Sequence, residues 1–306
     1  MTAVRQRLPG STYLCTRRTA NGACRLKPTR QVYAILLFAL AIAAMRYDVT
    51  LHAFIAMPNH VHLVVTDHSG DISRFLGLFH QLVALGLGRL QKEPGPLWDA
   101  SDPDIKRIQG PVTELNKVVY TLANAAAADL CDSPGDWYGA MSPVALIGAG
   151  PITVRRPEAF STEHTSLEEE ATLSFEAPPG HAHRTATEYR VLLEGLLRER
   201  GEAIREQRRR AGRQVLSRGA VRGRSLFARP RVHPSRRRSE RGPRPPLSRH
   251  IECDPELHEE AVQALLGFRR AYEQAFERWR DGERDVEFPR GTYKMVRIHG
   301  AREAPG

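Results

Sequence analysis

Two apolar strands joined by only two residues constrain this chain more than any other feature. Residues 49–57 (Val-Thr-Leu-His-Ala-Phe-Ile-Ala-Met) and 60–67 (His-Val-His-Leu-Val-Val-Thr-Asp) are rich in β-branched and aliphatic side chains, with Pro58 and Asn59 between them. So short a link leaves an antiparallel hairpin as the outcome. His60 and His62 open the second strand, and the alternation of side chains along a strand sends both imidazoles to the same face. A His-x-His pair in a strand can be ordinary packing. On a stiff hairpin it is also how a sheet offers two nitrogens to a metal.

Local signals set the elements around the hairpin. Residues 1–10 carry no pattern and read as a frayed start. Ser11 to Arg18 is β-prone and is followed by the turn pair Asn21-Gly22. Thr29, after Pro28, is placed to cap a helix reaching about Met45. The apolar run 32–45 falls short of the ~20 residues a spanning helix needs and lies too far into the chain for a signal peptide. A helix buried against a sheet is expected there, with no membrane partner.

Asp71-Ile72-Ser73 opens a second helix, with Phe75, Leu76, Phe79, Leu82, Val83 and Leu87 at helical spacing. Its Gly77, Gly86 and Gly88 weaken it, and Pro94-Gly95-Pro96 ends it. Ile105 to Ile108 leaves room for a short strand, and Gly110-Pro111 opens a third helix over residues 112–130. The order β-α-β-β-α-β-α predicts an α+β fold: a ferredoxin-like antiparallel sheet with two helices on one face and the histidine strand in its interior.

Beyond Pro143 the pattern changes. Residues 143–185 read as a linker of limited order, and residues 186–306 as a mainly helical, partly disordered, arginine-rich extension of the 11–142 unit. A helix over 186–211 ends in Arg208-Arg209-Arg210, the segment 222–249 is dense in arginine and proline around Arg236-Arg237-Arg238, and an amphipathic helix covers 255–279. The formal charge of +10 favours a polyanionic partner. The two arginine triplets, Arg208, Arg209, Arg210 and Arg236, Arg237, Arg238, are the candidates for tracking DNA phosphates, the alternative being a solubilising tail. Four scattered cysteines without a Cys-x-x-Cys pair indicate neither a zinc knuckle nor a disulfide framework, which fits a reducing cytoplasm.

The third helix carries Tyr120 and Asn124, four residues apart and on one face. A tyrosine hydroxyl can serve as a nucleophile, and an amide oxygen suits magnesium or manganese in a mixed nitrogen and oxygen shell. Either residue alone is most simply packing. Combined with His-x-His on a strand, they outline a site for phosphodiester chemistry.

With these residues in view, the chain resembles the REP-associated tyrosine transposases, single-tyrosine transposases with a His-hydrophobe-His motif. The resemblance rests on His52-Ala53-Phe54-Ile55-Ala56-Met57-Pro58-Asn59-His60-Val61-His62-Leu63-Val64-Val65, on Gly95-Pro96-Leu97-Trp98 and on Val119-Tyr120-Thr121-Leu122-Ala123-Asn124, extending weakly through Asp136-Trp137-Tyr138. It covers residues 11–142. It implies a divalent metal, Mg2+ or Mn2+, held by His60, His62 and Asn124. It also implies that Tyr120 attacks single-stranded DNA at a hairpin-forming element, leaving a 5′-phosphotyrosine and a 3′-hydroxyl.

The family usually has proline and valine after this asparagine. Here Ala125-Ala126-Ala127-Ala128 comes next, so the helix is expected to run on without bending. The implied protein is bacterial, cytoplasmic and nucleoid-associated, and a homodimer is the candidate assembly, with Tyr120 acting in its own subunit or in a partner's. A second reading is a catalytically weakened or domesticated regulator that binds hairpin DNA. A third, an RNA-binding module on a ferredoxin-like sheet, calls for exposed sheet aromatics that the sequence does not offer.

Overall fold

The structure is a computed structural model that describes residues 4–161, 166–229 and 251–305. Its first half runs β1 (Ser11–Arg18), α1 (Arg30–Arg46), β2 (Val49–Met57), β3 (His60–Asp67), α2 (Ile72–Gln91), β4 (Asp104–Gln109) and α3 (Pro111–Leu122). After these come α4 (Asn124–Ala127), β5 (Ile152–Arg155), β6 (Glu170–Leu173), α5 (Ala186–Arg210), α6 (Arg218–Gly223), β7 (Ile251–Cys253), α7 (His258–Arg280), β8 (Glu287–Phe288), α8 (Tyr293–Arg297) and β9 (Arg302–Glu303). The fold is α+β, and the first seven elements come in the expected order.

The central sheet has the strand order β2-β3-β1-β4-β7. The first four strands pair antiparallel and β7 adds in parallel beside β4. The histidine strand β3 is therefore flanked on both sides. Thr29 caps α1 by accepting from the Val32 amide at 3.3 Å. The start of α2 is held differently from what Asp71 suggested: the Asp67 carboxylate, at the end of β3, accepts from the amides of Gly70, Asp71 and Ile72 at 2.8–3.1 Å. A buried carboxylate at a helix start satisfies amides that have no partner within the helix.

One face of the sheet is covered by α1 and α2. Phe54 of β2 meets Phe79 of α2 edge-on at 6.1 Å. α1 buries residues on every side, from Val32 through Phe38 to Ala43, and so needs cover on its outer side too. That cover comes from residues 143–185, which corrects the expectation of a linker. β5 and β6 form an antiparallel hairpin on α1, and Ile147, Phe160, Ala171, Leu173 and Phe175 are all within 2% exposure. Phe160 packs on Phe38 at 5.5 Å. A Cβ on Gly86 of α2 would come within 2.8 Å of both Ile35 and Phe160, so glycine there is what permits the close crossing.

The expected boundary at 186 is not a boundary in the core. Tyr189, Leu193, Leu197 and Ile204 of α5 join the same hydrophobic cluster as the sheet. Two satellite cores lie further along, one joining α7 to Ile251 and Val4, the other gathering Val286, Phe288 and Met295. Nor is the N-terminal segment frayed from residue 4 onward: the Arg7 amide donates to Gly291 O at 2.8 Å. Among the described residues, no helix is long and apolar enough to cross a membrane.

Candidate active site

The β1–β3 register sets Thr16 opposite His62 and Thr12 opposite Thr66, which makes a polar row on the sheet face turned away from α1 and α2. A register shift between Leu51 and Ala53 in β2 lets His52 join that row. Its Nδ1–H donates to Glu176 O at 2.9 Å, and its Nε2 lies 2.8 Å from the Thr66 hydroxyl. Thr66 in turn meets Thr12 at 2.8 Å, and the Thr12 hydroxyl donates to Glu114 of α3 at 3.2 Å. Burial lowers the His52 pKa to about 4 and raises that of Glu114. This buried chain is a polar seat for α3.

The two histidines are each fixed through Nδ1. His60 Nδ1–H donates to Asn59 Oδ1 at 2.8 Å, and His62 Nδ1 pairs with the Thr16 hydroxyl at 2.8 Å. The Asn59 oxygen can only accept, which fixes the Nδ1–H tautomer of His60, whereas the Thr16 hydroxyl can donate to or accept from Nδ1 of His62. The rings sit 4.7 Å apart at 88°. Burial first, then the neighbouring His60 and Arg18, holds the pKa of His62 well below the ordinary range. It is therefore neutral at physiological pH, the form that binds a metal.

Tyr120 comes to this pair from α3. Its ring lies 5.4 Å from that of His62, at 76°, and is 46% exposed. Lys117, one turn earlier, holds its ammonium 5.9 Å from the tyrosine ring centre. Lys117 is oriented by Glu252 of β7 at 3.3 Å, which also binds Lys106 at 2.9 Å.

The helix does not run on to residue 130. It ends at Leu122, Ala123 takes φ −86° and ψ −1°, and Asn124 begins the four-residue turn α4. The break needs no proline, because the chain beyond it is pulled round: Asp129 adopts φ 58°, and Arg208 of α5 holds the corner from Ala126 to Asp132. The Arg208 guanidinium donates to Asp129 Oδ1 at 2.9 Å, Asp132 Oδ1 at 2.8 Å, Ala126 O at 3.0 Å and Cys131 O at 3.1 Å. At 5% exposure, with its donors spent on this corner, Arg208 is not a phosphate ligand, which corrects its assignment to DNA.

Arg209 and Arg210 stay on the surface, each paired with Glu206. Arg236, Arg237 and Arg238 lie outside the described residues. The structure thus brings His60, His62 and Tyr120 together. Asn124 stands half-buried just past the kink, on a turn that packs against β2. Among the described residues, no group of three or more His, Cys, Asp or Glu converges, so the donors offered here are the two imidazoles and whatever neutral oxygen joins them. Sequence reasoning missed the anchors Asn59 and Thr16 and the Lys117–Glu252 pair. The first two were within reach, as the residue preceding the motif and the position that pairs with it across the sheet.

No known family description matches the chain, and no curated protein matches its sequence. Among solved structures it is similar to a REP-associated tyrosine transposase bound to a REP hairpin, with TM-score 0.38 and 17% identity over 44% of this chain and 77% of that one. It is also similar to a crystal structure assigned as a transposase from Deinococcus radiodurans R1, with TM-score 0.28 and 20% identity over 33% of this chain and 81% of that one.

Proposed function

We propose that this chain is a metal-dependent strand-transfer enzyme of the REP-associated tyrosine transposase type, acting on single-stranded, hairpin-forming DNA through a covalent 5′-phosphotyrosine. The observation that carries the reading is the approach of Tyr120 to 5.4 Å from an imidazole whose Nδ1 is already anchored. His60 and His62 would hold a magnesium or manganese ion, with Asn124 as the amide ligand. The donor set fits such an ion, because both Nδ1 atoms are occupied by protein partners. When bound, the ion would polarise the non-bridging oxygens of a phosphodiester.

The chain's own residues supply the rest. Tyr120 is exposed enough to meet a phosphate, and Lys117 sets a cation beside it. The phenolic oxygen forms a bond to phosphorus and the bond from phosphorus to the 3′-oxygen breaks. The phenol gives up its proton, the strand that ends in the released oxygen takes one up and departs with a free 3′-hydroxyl, and the other strand stays on Tyr120 through its 5′-phosphate. Attack by another 3′-hydroxyl reverses the step and joins strands.

The test is a denaturation-resistant adduct between the protein and labelled hairpin DNA in the presence of manganese or magnesium. Tyr120→Phe removes one oxygen from an exposed ring and should abolish the adduct, and His60→Ala should reduce it. Tight binding of hairpin DNA by wild type without an adduct in either metal would favour the regulator reading instead.

A further inference from the structure

A second surface lies at the turn end of the hairpin. From Arg218 to Arg229 the sequence is Arg-Gly-Ala-Val-Arg-Gly-Arg-Ser-Leu-Phe-Ala-Arg, with arginine at 218, 222, 224 and 229 and no carboxylate. Val221, 1% exposed, pins α6 into the core. Arg218 and Arg222 stay exposed, their guanidinium carbons 5.0 and 5.4 Å from the centre of the Tyr138 ring. Arg222 also donates to Pro28 O at 3.1 Å.

The segment then runs beside the loop between β1 and α1. The Cys24 amide donates to Ala228 O at 3.0 Å, while the same loop bonds the hairpin turn through Thr19 N to Asn59 O and Leu26 N to Pro58 O, both at 2.9 Å. Asn59 is the anchor of His60, so a continuous hydrogen-bonded path joins this segment to the histidine pair. On it stands Phe227, 53% exposed, with the Arg25 guanidinium 5.9 Å from its ring centre.

We infer that residues 218–229 form a binding track for single-stranded DNA, with Phe227 as a stacking platform for one base and Arg218, Arg222, Arg224 and Arg229 along the phosphates. The inference rests on the DNA-processing reading and assigns it a surface distinct from Tyr120 and the histidines. An aromatic ring open to solvent among cations that no nearby carboxylate of the segment neutralises is the chemistry of such a track: charge follows the backbone and the ring takes any base. An acidic protein would engage the arginines equally, but would have no use for the ring as a base platform.

The test uses the full chain carrying Tyr120→Phe, with EDTA present, so that it can be read even if no covalent adduct exists. Binding of a short oligothymidine is compared with binding of an abasic strand of equal length. Phe227→Ala should weaken oligothymidine binding about tenfold, as expected for the loss of one base–aromatic stack, and leave abasic binding unchanged. Phe227→Trp should keep the affinity and show fluorescence quenching by thymidine bases that the parent lacks. The double variant Arg218→Gln, Arg222→Gln should flatten the slope of log affinity against log salt by about 1.4, roughly 0.7 for each phosphate no longer neutralised. Equal effects of Phe227→Ala on both strands, or no effect on either together with no quenching, would overturn the inference.

Discussion

The hairpin that carries the histidines and the helix that carries the tyrosine are held by different means. β3 is bonded along both edges, and its histidines are fixed by Asn59, the preceding residue, and by Thr16, directly across the ladder. α3 has only 12 residues, is seated on the sheet through Glu114 and breaks at Ala123, and the corner after it is held by Arg208 on a helix remote in sequence. One half of the site is stable by local geometry. The other half joins a polar seat at Glu114 to a corner after the helix that a single guanidinium gathers, so a change at Arg208, far from the histidines in sequence, should disturb that corner and spare the hairpin.

Arg208→Ala gives the largest expected effect. It would leave the Asp129 carboxylate with Arg213 alone, and the carbonyls of Ala126 and Cys131 buried without their donor. Breaking a buried ion pair on one side costs roughly 3–5 kcal/mol. Urea unfolding measures this loss. Where the variant still folds, His60 and His62 should keep their anchors at Asn59 and Thr16 while the turn that carries Asn124 loses its support. A loss below about 1 kcal/mol, the scale of a surface pair, would mean that the corner holds itself.

The contrast also explains what was legible in the sequence. β1, β2 and β3 are plain from alternation and from the two-residue turn, and Thr29 marks the start of α1, because those signals are local. The cover over α1 was implied by a helix apolar on every side, but the strands that supply it are four residues each among glycines and prolines and show too little alternation to be read. Arg208 looked like its neighbours Arg209 and Arg210 as a member of a basic triplet. Helical spacing separates it from them: Leu197, Gly201, Ile204 and Arg208 form one buried stripe on α5. The kink at Ala123 had no local sign, since neither proline nor glycine is present and the cause is a tertiary contact.

Acid should loosen the hairpin side. His52, placed on the polar row by the irregularity in β2, has a pKa lowered by burial to about 4 from an ordinary 6.5. Between those values the unfolded chain binds a proton that the folded chain refuses, so this contribution is whole above 6.5 and is lost as pH falls toward 4. The slope is up to about 1.4 kcal/mol per pH unit, or about 3 kcal/mol across the window. Buried His80, lowered to about 3, adds in the same direction. Urea midpoints for wild type and His52→Gln should therefore converge as pH falls from 6.5 to 4. Parallel curves would mean that His52 titrates normally.

The smallest effect on stability, and the sharpest on function, is expected at Asn124. It stands half-buried just beyond the kink, so Asn124→Ala should change unfolding free energy by no more than about 0.5 kcal/mol, as for an ordinary surface change. As a metal ligand it should raise the manganese concentration for half-maximal adduct about tenfold or more, at least the cost of losing an outer-shell partner. Asn59→Ala, which unfastens His60, provides that outer-shell reference in the same assay. If Asn59→Ala moves the manganese dependence and Asn124→Ala does not, the metal belongs to the hairpin alone. The helix then contributes only the tyrosine, and the corner that Arg208 gathers lies outside the ligand shell.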